Sequence, residues 1–218
     1  WSPEVPSHLA PIVLLHDSLG SVELWRGFPA ALCKATDRQV VAYDRLGFGR
    51  SDPHPGTLAL DFIASEAEGD FATVLRALGI PRFIVFGHSV GGGMAVNCAA
   101  HHGAACVALI TESAQAFVED RTIEGLEDAR VLFKDPGQVD RLKRYHGEKA
   151  RWVLDAWIES WLAPAFATWS LRPVLPQVAC PALVIHGIDD EYGSSAHPKL
   201  IAELCGGTAR LELMADTR

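Results

Sequence analysis

The chain has 218 residues, of which 49% are hydrophobic and 21% charged, so it can bury one substantial core and does not resemble a disordered chain. Its formal net charge of −8 argues against a nucleic-acid partner, because a protein that binds polyanions needs a basic face. Five cysteines without a C-x-x-C pair argue against a disulfide scaffold, and we interpret them as buried thiols. We therefore expect one globular domain that acts on a small molecule.

No apolar run approaches the roughly 18 residues needed to cross a bilayer, and no signal-peptide pattern opens the chain. The sequence therefore predicts no membrane partner and a cytoplasmic location. The chain begins with Trp1 rather than Met, and its first ten residues are rich in Pro and Ser without a periodic pattern. We interpret this beginning as a cut end.

Short, continuous apolar runs predict strands that are buried on both faces. They lie at residues 12–15, 40–42, 83–86, 107–110 and 183–185, with a weaker, alternating candidate at 210–214. Apolar residues recur at steps of three and four over residues 60–78, which predicts a helix that ends at Gly79. Alternating strands and helices predict an α/β fold with a mostly parallel sheet flanked by helices.

Residues 117–172 interrupt this alternation, because they contain several helical pieces and no convincing strand. We interpret them as a helical cap insertion between two parts of one core, residues 1–116 and 173–218. The insertion is rich in aromatic residues, and core packing is the simpler explanation for most of them. Three are candidates for lining a substrate pocket: Trp152, Trp157 and Trp161.

Gly87-His88-Ser89-Val90-Gly91 lies between a predicted strand and a predicted helix, the context of a nucleophile elbow. A hydroxyl at the tip of so sharp a turn forces strained backbone angles and close strand-helix approach, which glycines permit. A phosphate-binding loop is the competing interpretation, but the run lacks the Lys-Ser/Thr of a P-loop. The pattern predicts Ser89 as a nucleophile and the Val90 N–H, at the helix start, as an oxyanion donor.

Four motifs together resemble those of the α/β-hydrolase superfamily. The elbow is one of them. The others are His16-Asp17-Ser18-Leu19-Gly20, which resembles an oxyanion loop, Asp44-Arg45-Leu46-Gly47-Phe48-Gly49-Arg50-Ser51, and His186-Gly187-Ile188-Asp189-Asp190, which resembles the segment that carries the family's acid. The resemblance implies the α/β-hydrolase fold with a helical cap, and a triad in the order serine, acid, histidine.

The resemblance implies Asp190 as the triad acid, with Asp189 and then Glu112 as alternatives. It also implies that Ser18 gives the second oxyanion N–H. Asp17 stands where the family usually has glycine. Its backbone is therefore expected either to be left-handed or to give the loop a different shape, with the carboxylate turned away from the oxyanion.

The family's general base is a histidine on the loop after the last strand, and none of the nine histidines occupies that place. We expect the base just after Arg218, in a sequence trimmed at both ends that lacks terminal elements. A protein ending at Arg218 would then be nearly inactive. His197 is the internal alternative, and the side chain of His88 is expected to project away from Ser89.

The leading functional hypothesis is a serine hydrolase that cleaves a small-molecule carboxylic ester through an acyl-enzyme on Ser89. A carbon-carbon bond hydrolase of a diketone-type substrate would use the same triad and is the first alternative. A non-catalytic hydrolase-fold protein that binds a ligand or a partner is the second. No cofactor is implied, and the absence of His-Glu-x-x-His spacing argues against a metal.

Overall fold

The computed structural model describes residues 1–5 and 7–217, and six strands form its central sheet. They are β1 (Ile12–Leu15), β2 (Val40–Ala42), β3 (Phe83–His88), β4 (Cys106–Glu112), β5 (Ala182–Gly187) and β6 (Ala209–Met214). The strand order is β2-β1-β3-β4-β5-β6, and every adjacent pair is parallel. The predicted α/β fold with a parallel sheet is confirmed, including the weak sixth strand.

Eight α-helices connect and flank these strands in the described part of the chain. They are α1 (Phe28–Thr36), α2 (Phe62–Ser65), α3 (Asp70–Leu78), α4 (Val90–His102), α5 (Asp120–Leu132), α6 (Pro136–His146), α7 (Ala150–Trp161) and α8 (Ala196–Leu204). The single helix predicted over residues 60–78 is wrong, because Gly69 leaves the helical region (φ −85°, ψ −114°) between α2 and α3. Both helices nevertheless keep their apolar side inward, with Ile63 and Phe71 buried.

The sheet is buried on both faces, and its side chains alternate between two apolar layers. Val13 and Leu15 of β1 belong to the larger layer, which α4 covers, whereas Ile12 and Leu14 belong to the smaller layer with Cys33 of α1. Helix α4 is buried along most of its length. The elbow that starts α4 is therefore held in the centre of the molecule.

Helices α5, α6 and α7 lie between β4 and β5, in the segment predicted as a helical insertion. Its described residues contain one isolated antiparallel bridge, between Phe117 and Ser170. His146 at the end of α6 joins this segment to two loops, since its Nδ1 accepts the Gly49 N–H at 2.9 Å and its Nε2 lies 3.0 Å from the Leu19 carbonyl oxygen. The division into a cap, residues 117–172, and a core, residues 1–116 and 173–218, stays a prediction.

The helices in the described ranges are each too short or too polar to cross a membrane.

Candidate active site

Ser89 lies at the turn between β3 and α4, with φ 55° and ψ −125°. A non-glycine residue with positive φ is strained, and such strain concentrates at functional sites. The Ser89 N–H donates to the Glu112 carbonyl oxygen at 2.9 Å, which ties the turn to the end of β4. The backbone therefore holds the serine at the carboxyl edge of the sheet.

The two outer glycines of the elbow are required by close contacts. A Cβ on Gly87 would lie 2.0 Å from the Gly91 carbonyl oxygen, and a Cβ on Gly91 would lie 2.2 Å from the Leu15 carbonyl oxygen. Both contacts are with backbone atoms, which cannot rotate away as a side chain can. The motif's spacing is thus set by the contact of α4 with β3 and β1.

Ser89 lines two cavities of about 240 and 260 Å³, which share His88, Gln115 and Tyr192. The first is also lined by Asp17, Ser18, Leu19, Thr122, Leu126, Trp157 and Trp161. The second is also lined by Ser113, Asp190 and Glu191. The nucleophile predicted from sequence therefore faces space that a small molecule can enter.

Asp190, the predicted acid, is buried beside the second cavity, whereas Asp189 is exposed. Asp190 Oδ1 accepts the N–H groups of Tyr192 and Gly193 at 2.8 and 3.0 Å. Its Oδ2 lies 3.8 Å from His186 Nε2. The first oxygen is therefore fixed by the backbone and the second is less tightly held, while the role of Asp190 as the triad acid stays a prediction.

Ser18 and Val90, the two predicted oxyanion donors, come from different loops. Val90 is the first residue of α4, so its N–H has no partner one turn earlier in the helix. Ser18 lines the 240 Å³ cavity together with Ser89. Ser18 and Val90 together line a further, smaller cavity, and their role as oxyanion donors stays a prediction.

Asp17 does not have the left-handed backbone considered from sequence, since it is absent from the described residues with positive φ. Its Oδ1 accepts the Leu19 N–H at 2.8 Å, which forms a local turn around Ser18. The carboxylate is thus engaged with its own loop, although Asp17 still lines the first cavity.

Gln115 was not predicted as a site residue, yet its side chain is the hydrogen-bond partner of the Ser89 hydroxyl. Ser89 Oγ donates to Gln115 Oε1 at 3.3 Å, and Gln115 is buried in the loop after β4. The signal in the sequence is its position just after a buried strand, because the carboxyl ends of parallel strands share one edge.

The sequence around the elbow also matches a known protein family. The model of the family described as "alpha/beta hydrolase fold" matches residues 10–151. The chain belongs to the alpha/beta hydrolase fold family. The resemblance found in the four sequence motifs is thereby confirmed.

The chain is also similar to individual hydrolase-fold proteins, in sequence or in structure. It is 27% identical to serine hydrolase BPHL of Homo sapiens over 212 residues, 94% of this chain and 71% of that protein. It is 40% identical to 1-acylglycerol-3-phosphate O-acyltransferase ABHD5 of Homo sapiens over 93 residues, 41% of this chain, and so spans 25% of that relative's length. The enol-lactonase structure from Burkholderia xenovorans LB400 superposes with a TM-score of 0.74 at 22% identity, covering 99% of this chain and 86% of that one, and it supports the fold.

The side chain of His88 is engaged with Glu112 and with the ring of Trp25, and the expectation that it projects away from Ser89 stays a prediction. His88 ends β3 in register with Glu112, which ends β4, so the two side chains stand next to each other at the carboxyl edge. His88 Nδ1 and Glu112 Oε2 form a very short ion pair, and His88 lines both cavities. The hydrolase fold thus brings an ion pair to the position directly before Ser89.

The His88 and Glu112 pKa values shift in the directions expected of an ion pair. Burial lowers the pKa of His88, but the hydrogen bond and charge of Glu112, with the charges of Asp17 and Asp190, outweigh it and raise that pKa. Burial raises the pKa of Glu112, but the bond and charge of His88 outweigh it and lower that pKa. Both groups are therefore stabilised in their charged forms.

His197, the internal alternative for the base, is fully buried and already bonded at both ring nitrogens. Its Nδ1 accepts the Ala116 N–H at 3.1 Å, and its Nε2 lies 3.0 Å from Glu119 Oε1. Burial is the largest cause that lowers the pKa of His197. The side chain lines neither cavity that contains Ser89, so the geometry favours a structural role.

The three tryptophans predicted to line a substrate pocket do not all lie at one cavity. Trp157 and Trp161 border the first cavity. Trp152 borders neither cavity of Ser89, because its ring stacks on His54 at 5.0 Å and its Nε1 donates to the Gly56 carbonyl oxygen at 2.7 Å. The structure therefore does not bring Trp152 to Ser89 with the other two, and the substrate pocket itself stays a prediction.

Within residues 1–5 and 7–217, no cluster of three His, Cys, Asp or Glu side chains is arranged to hold a metal ion.

Proposed function

We propose that the protein is a serine hydrolase that cleaves a small-molecule carboxylic ester through an acyl-enzyme on Ser89. The observation that carries this proposal is the strained backbone of Ser89 in the wall of a cavity, directly before the N-terminus of α4. A helix N-terminus stabilises negative charge, and an oxyanion develops at that position during attack on a carbonyl. The similarity to serine hydrolase BPHL supports the same reaction class.

The reaction has two halves. Ser89 Oγ attacks the ester carbonyl carbon as its proton passes to a general base, and the N–H groups of Val90 and Ser18 hold the resulting oxyanion. The intermediate collapses, and the leaving alkoxide takes the proton from the base. Water then repeats the attack on the acyl-enzyme and releases the acid. By resemblance to the family, we propose that the base is a histidine after β6 and that Asp190 orients it.

The first cavity suits a small acyl or aryl group. Its volume of about 240 Å³ is near the lower end of ligand pockets. Aliphatic and aromatic side chains form much of its wall: Leu19, Leu126, Trp157, Trp161 and Tyr192. Such a wall excludes water and binds apolar groups, so we propose short-chain or aryl esters as substrates.

The test is covalent labelling of the full-length protein with a fluorophosphonate probe, followed by mass spectrometry. We expect the adduct on Ser89, and we expect Ser89→Ala to abolish labelling and to lower kcat for an aryl ester by about 10⁶-fold. Ser65→Ala is the matched control, because Ser65 is an exposed serine that lines neither cavity of Ser89.

Two results would reject the proposal. An unmodified Ser89 in a correctly folded protein would favour the non-catalytic, ligand-binding alternative. Turnover of vinylogous diketones with none of aryl esters would favour the carbon-carbon bond hydrolase.

A further inference from the structure

Arg45 is a charged residue inside the core, 4% exposed, and it lies against the loop that carries Ser18. We propose that Arg45 is a positioning residue that fixes the peptide group between Asp17 and Ser18, so that the Ser18 N–H points to the oxyanion. This inference rests on the proposed function. In this role Arg45 acts on the reaction through the Asp17–Ser18 peptide group and does not contact the substrate.

The carbonyl oxygen of Asp17 is held by two strong donors. Arg45 Nη2 donates to it at 2.9 Å, and His16 Nδ1 lies 2.8 Å from it. The Gly20 N–H adds a weaker bond at 3.3 Å that closes the turn. A carbonyl oxygen has two lone pairs, so these donors saturate it and determine its direction.

His16 can donate here only in one tautomer, and Arg45 favours it. The Arg45 backbone N–H donates to His16 Nε2 at 3.3 Å, which leaves the proton on Nδ1, where it faces the Asp17 carbonyl oxygen. Burial and then the charge of Arg45 lower the pKa of His16 well below its usual value. The imidazole is therefore neutral, and Arg45 acts on the Asp17 carbonyl both directly and through His16.

The direction of the carbonyl determines the direction of the Ser18 N–H. The peptide group is planar, and no cis peptide bond occurs in the described residues, so the C–O and N–H bonds of this group point to opposite sides. The carbonyl faces Arg45 in the core. The Ser18 N–H makes no hydrogen bond with any described residue, and Ser18 lines the cavity of Ser89.

The guanidinium of Arg45 is itself fixed. Its Cζ lies 4.3 Å above the centre of the Phe48 ring, which restrains the plane of the group. Its Nε lies 3.4 Å from His16 Nε2 while Nη2 bonds the Asp17 carbonyl oxygen. A lysine has one nitrogen and cannot reproduce both contacts with this geometry.

The test compares Arg45→Lys and Arg45→Ala with Arg50→Ala in the full-length protein. Arg50 belongs to the same motif, but its side chain is 88% exposed, so it serves as the matched control. Loss of one oxyanion donor costs about 10²- to 10³-fold in kcat, and we expect both Arg45 variants to approach a 10²-fold loss with KM changed by roughly threefold or less. Affinity for a trifluoromethyl ketone, whose adduct carries the oxyanion, should fall in parallel with kcat.

Chemical rescue separates positioning from general destabilisation. Millimolar guanidinium should restore part of the lost kcat of Arg45→Ala and none in Arg50→Ala, whereas a merely structural defect would not respond. Unchanged kcat in a folded Arg45 variant would overturn the inference, even if Ser89→Ala is inactive as proposed. A crystal structure of Arg45→Lys with an unmoved Asp17 carbonyl would overturn it whatever the activity, and so independently of the proposed function.

Discussion

At the residue scale, the charges around Ser89 come from neighbouring strand ends. His88 and Glu112 are register partners at the ends of β3 and β4, and Asp17 and Asp190 add negative charge nearby. The raised pKa of His88 contributes stability that is full below its unfolded pKa and is lost as pH rises through the folded value. The lowered pKa of Glu112 contributes stability that is full above its unfolded pKa and is lost as pH falls through the folded value.

The ion pair is therefore fully effective only between the unfolded pKa values of the two groups, about 4.3 for Glu and about 6.5 for His. Because both side chains are about one third exposed, solvent screens the pair and limits its contribution to stability.

The first prediction concerns the cause of the His88 shift. We expect Glu112→Gln to lower the pKa of His88, because the substitution removes the carboxylate that opposes the effect of burial. An NMR titration of the histidine ring protons measures this directly. Glu119→Gln is the matched control, since Glu119 pairs with His197 instead. An equal His88 shift in both variants would contradict the assignment.

Residues of the site differ in whether a linear sequence can reveal them. Ser89 and Asp190 lie in motifs whose neighbours are adjacent in the chain, so they were predictable from the resemblance. The pair of His88 and Glu112 depends on which residues of two strands stand side by side, and Gln115 reaches Ser89 from the loop after β4. That register follows from tertiary packing, and no local pattern encodes it.

At the scale of elements, the elbow depends on the packing of α4 against β1. The Leu15 carbonyl oxygen occupies the place where a side chain at Gly91 would begin. The sequence predicted the glycine's function correctly but could not identify this contact, since the two residues are 76 positions apart (91 − 15).

The second prediction tests this contact. We expect Gly91→Ala to lower the free energy of unfolding by about 1–3 kcal/mol or more. The alanine Cβ would overlap a backbone atom, so α4 would have to move. Urea unfolding followed by circular dichroism measures the change. Gly56→Ala is the control, because nothing lies within 4 Å of a Cβ there. Equal stabilities of the two variants would show that α4 and β1 are not in such close contact.

The geometry of helix α7 explains why Trp152 lies apart from the other two tryptophans. Trp157 and Trp161 are four residues apart and share one side of the helix, whereas Trp152 precedes Trp157 by five residues, or about 140° around the axis. Trp152 therefore packs against His54. The period of an α-helix alone separates Trp152 from the other two side chains. A helix predicted over these residues would therefore already have placed Trp152 on a different side.

At the scale of the whole molecule, the sequence predicted the six strands but not their order. The buried runs are similar in composition, and nothing in them says that β1 lies between β2 and β3. Buried histidines add further long-range links that no motif indicates. His146 connects α6 to the loops at Leu19 and Gly49, and His197 connects α8 to Ala116 and Glu119.

The lowered pKa values of three buried histidines predict that the fold is sensitive to acid. Burial is the largest cause that lowers the pKa of His16, His146 and His197, so the folded protein binds protons there less readily than the unfolded chain. Below the usual histidine pKa of about 6.5, the unfolded state takes up more protons, and stability falls with falling pH. His88 opposes this trend, because its pKa is raised.

The final prediction isolates His146 within this acid response. Each proton taken up on unfolding contributes at most about 1.4 kcal/mol per pH unit to the slope of stability against pH. We expect the free energy of unfolding to fall from about pH 7.5 to about pH 5.5, and we expect His146→Gln to be less stable at neutral pH but to lose less on acidification. Urea unfolding across this range measures both effects.

His8→Gln, at an exposed position, is the control and should retain the original slope. If His146→Gln retained that slope too, protonation of His146 would not oppose folding, and the link between α6 and the two loops would have to survive in acid.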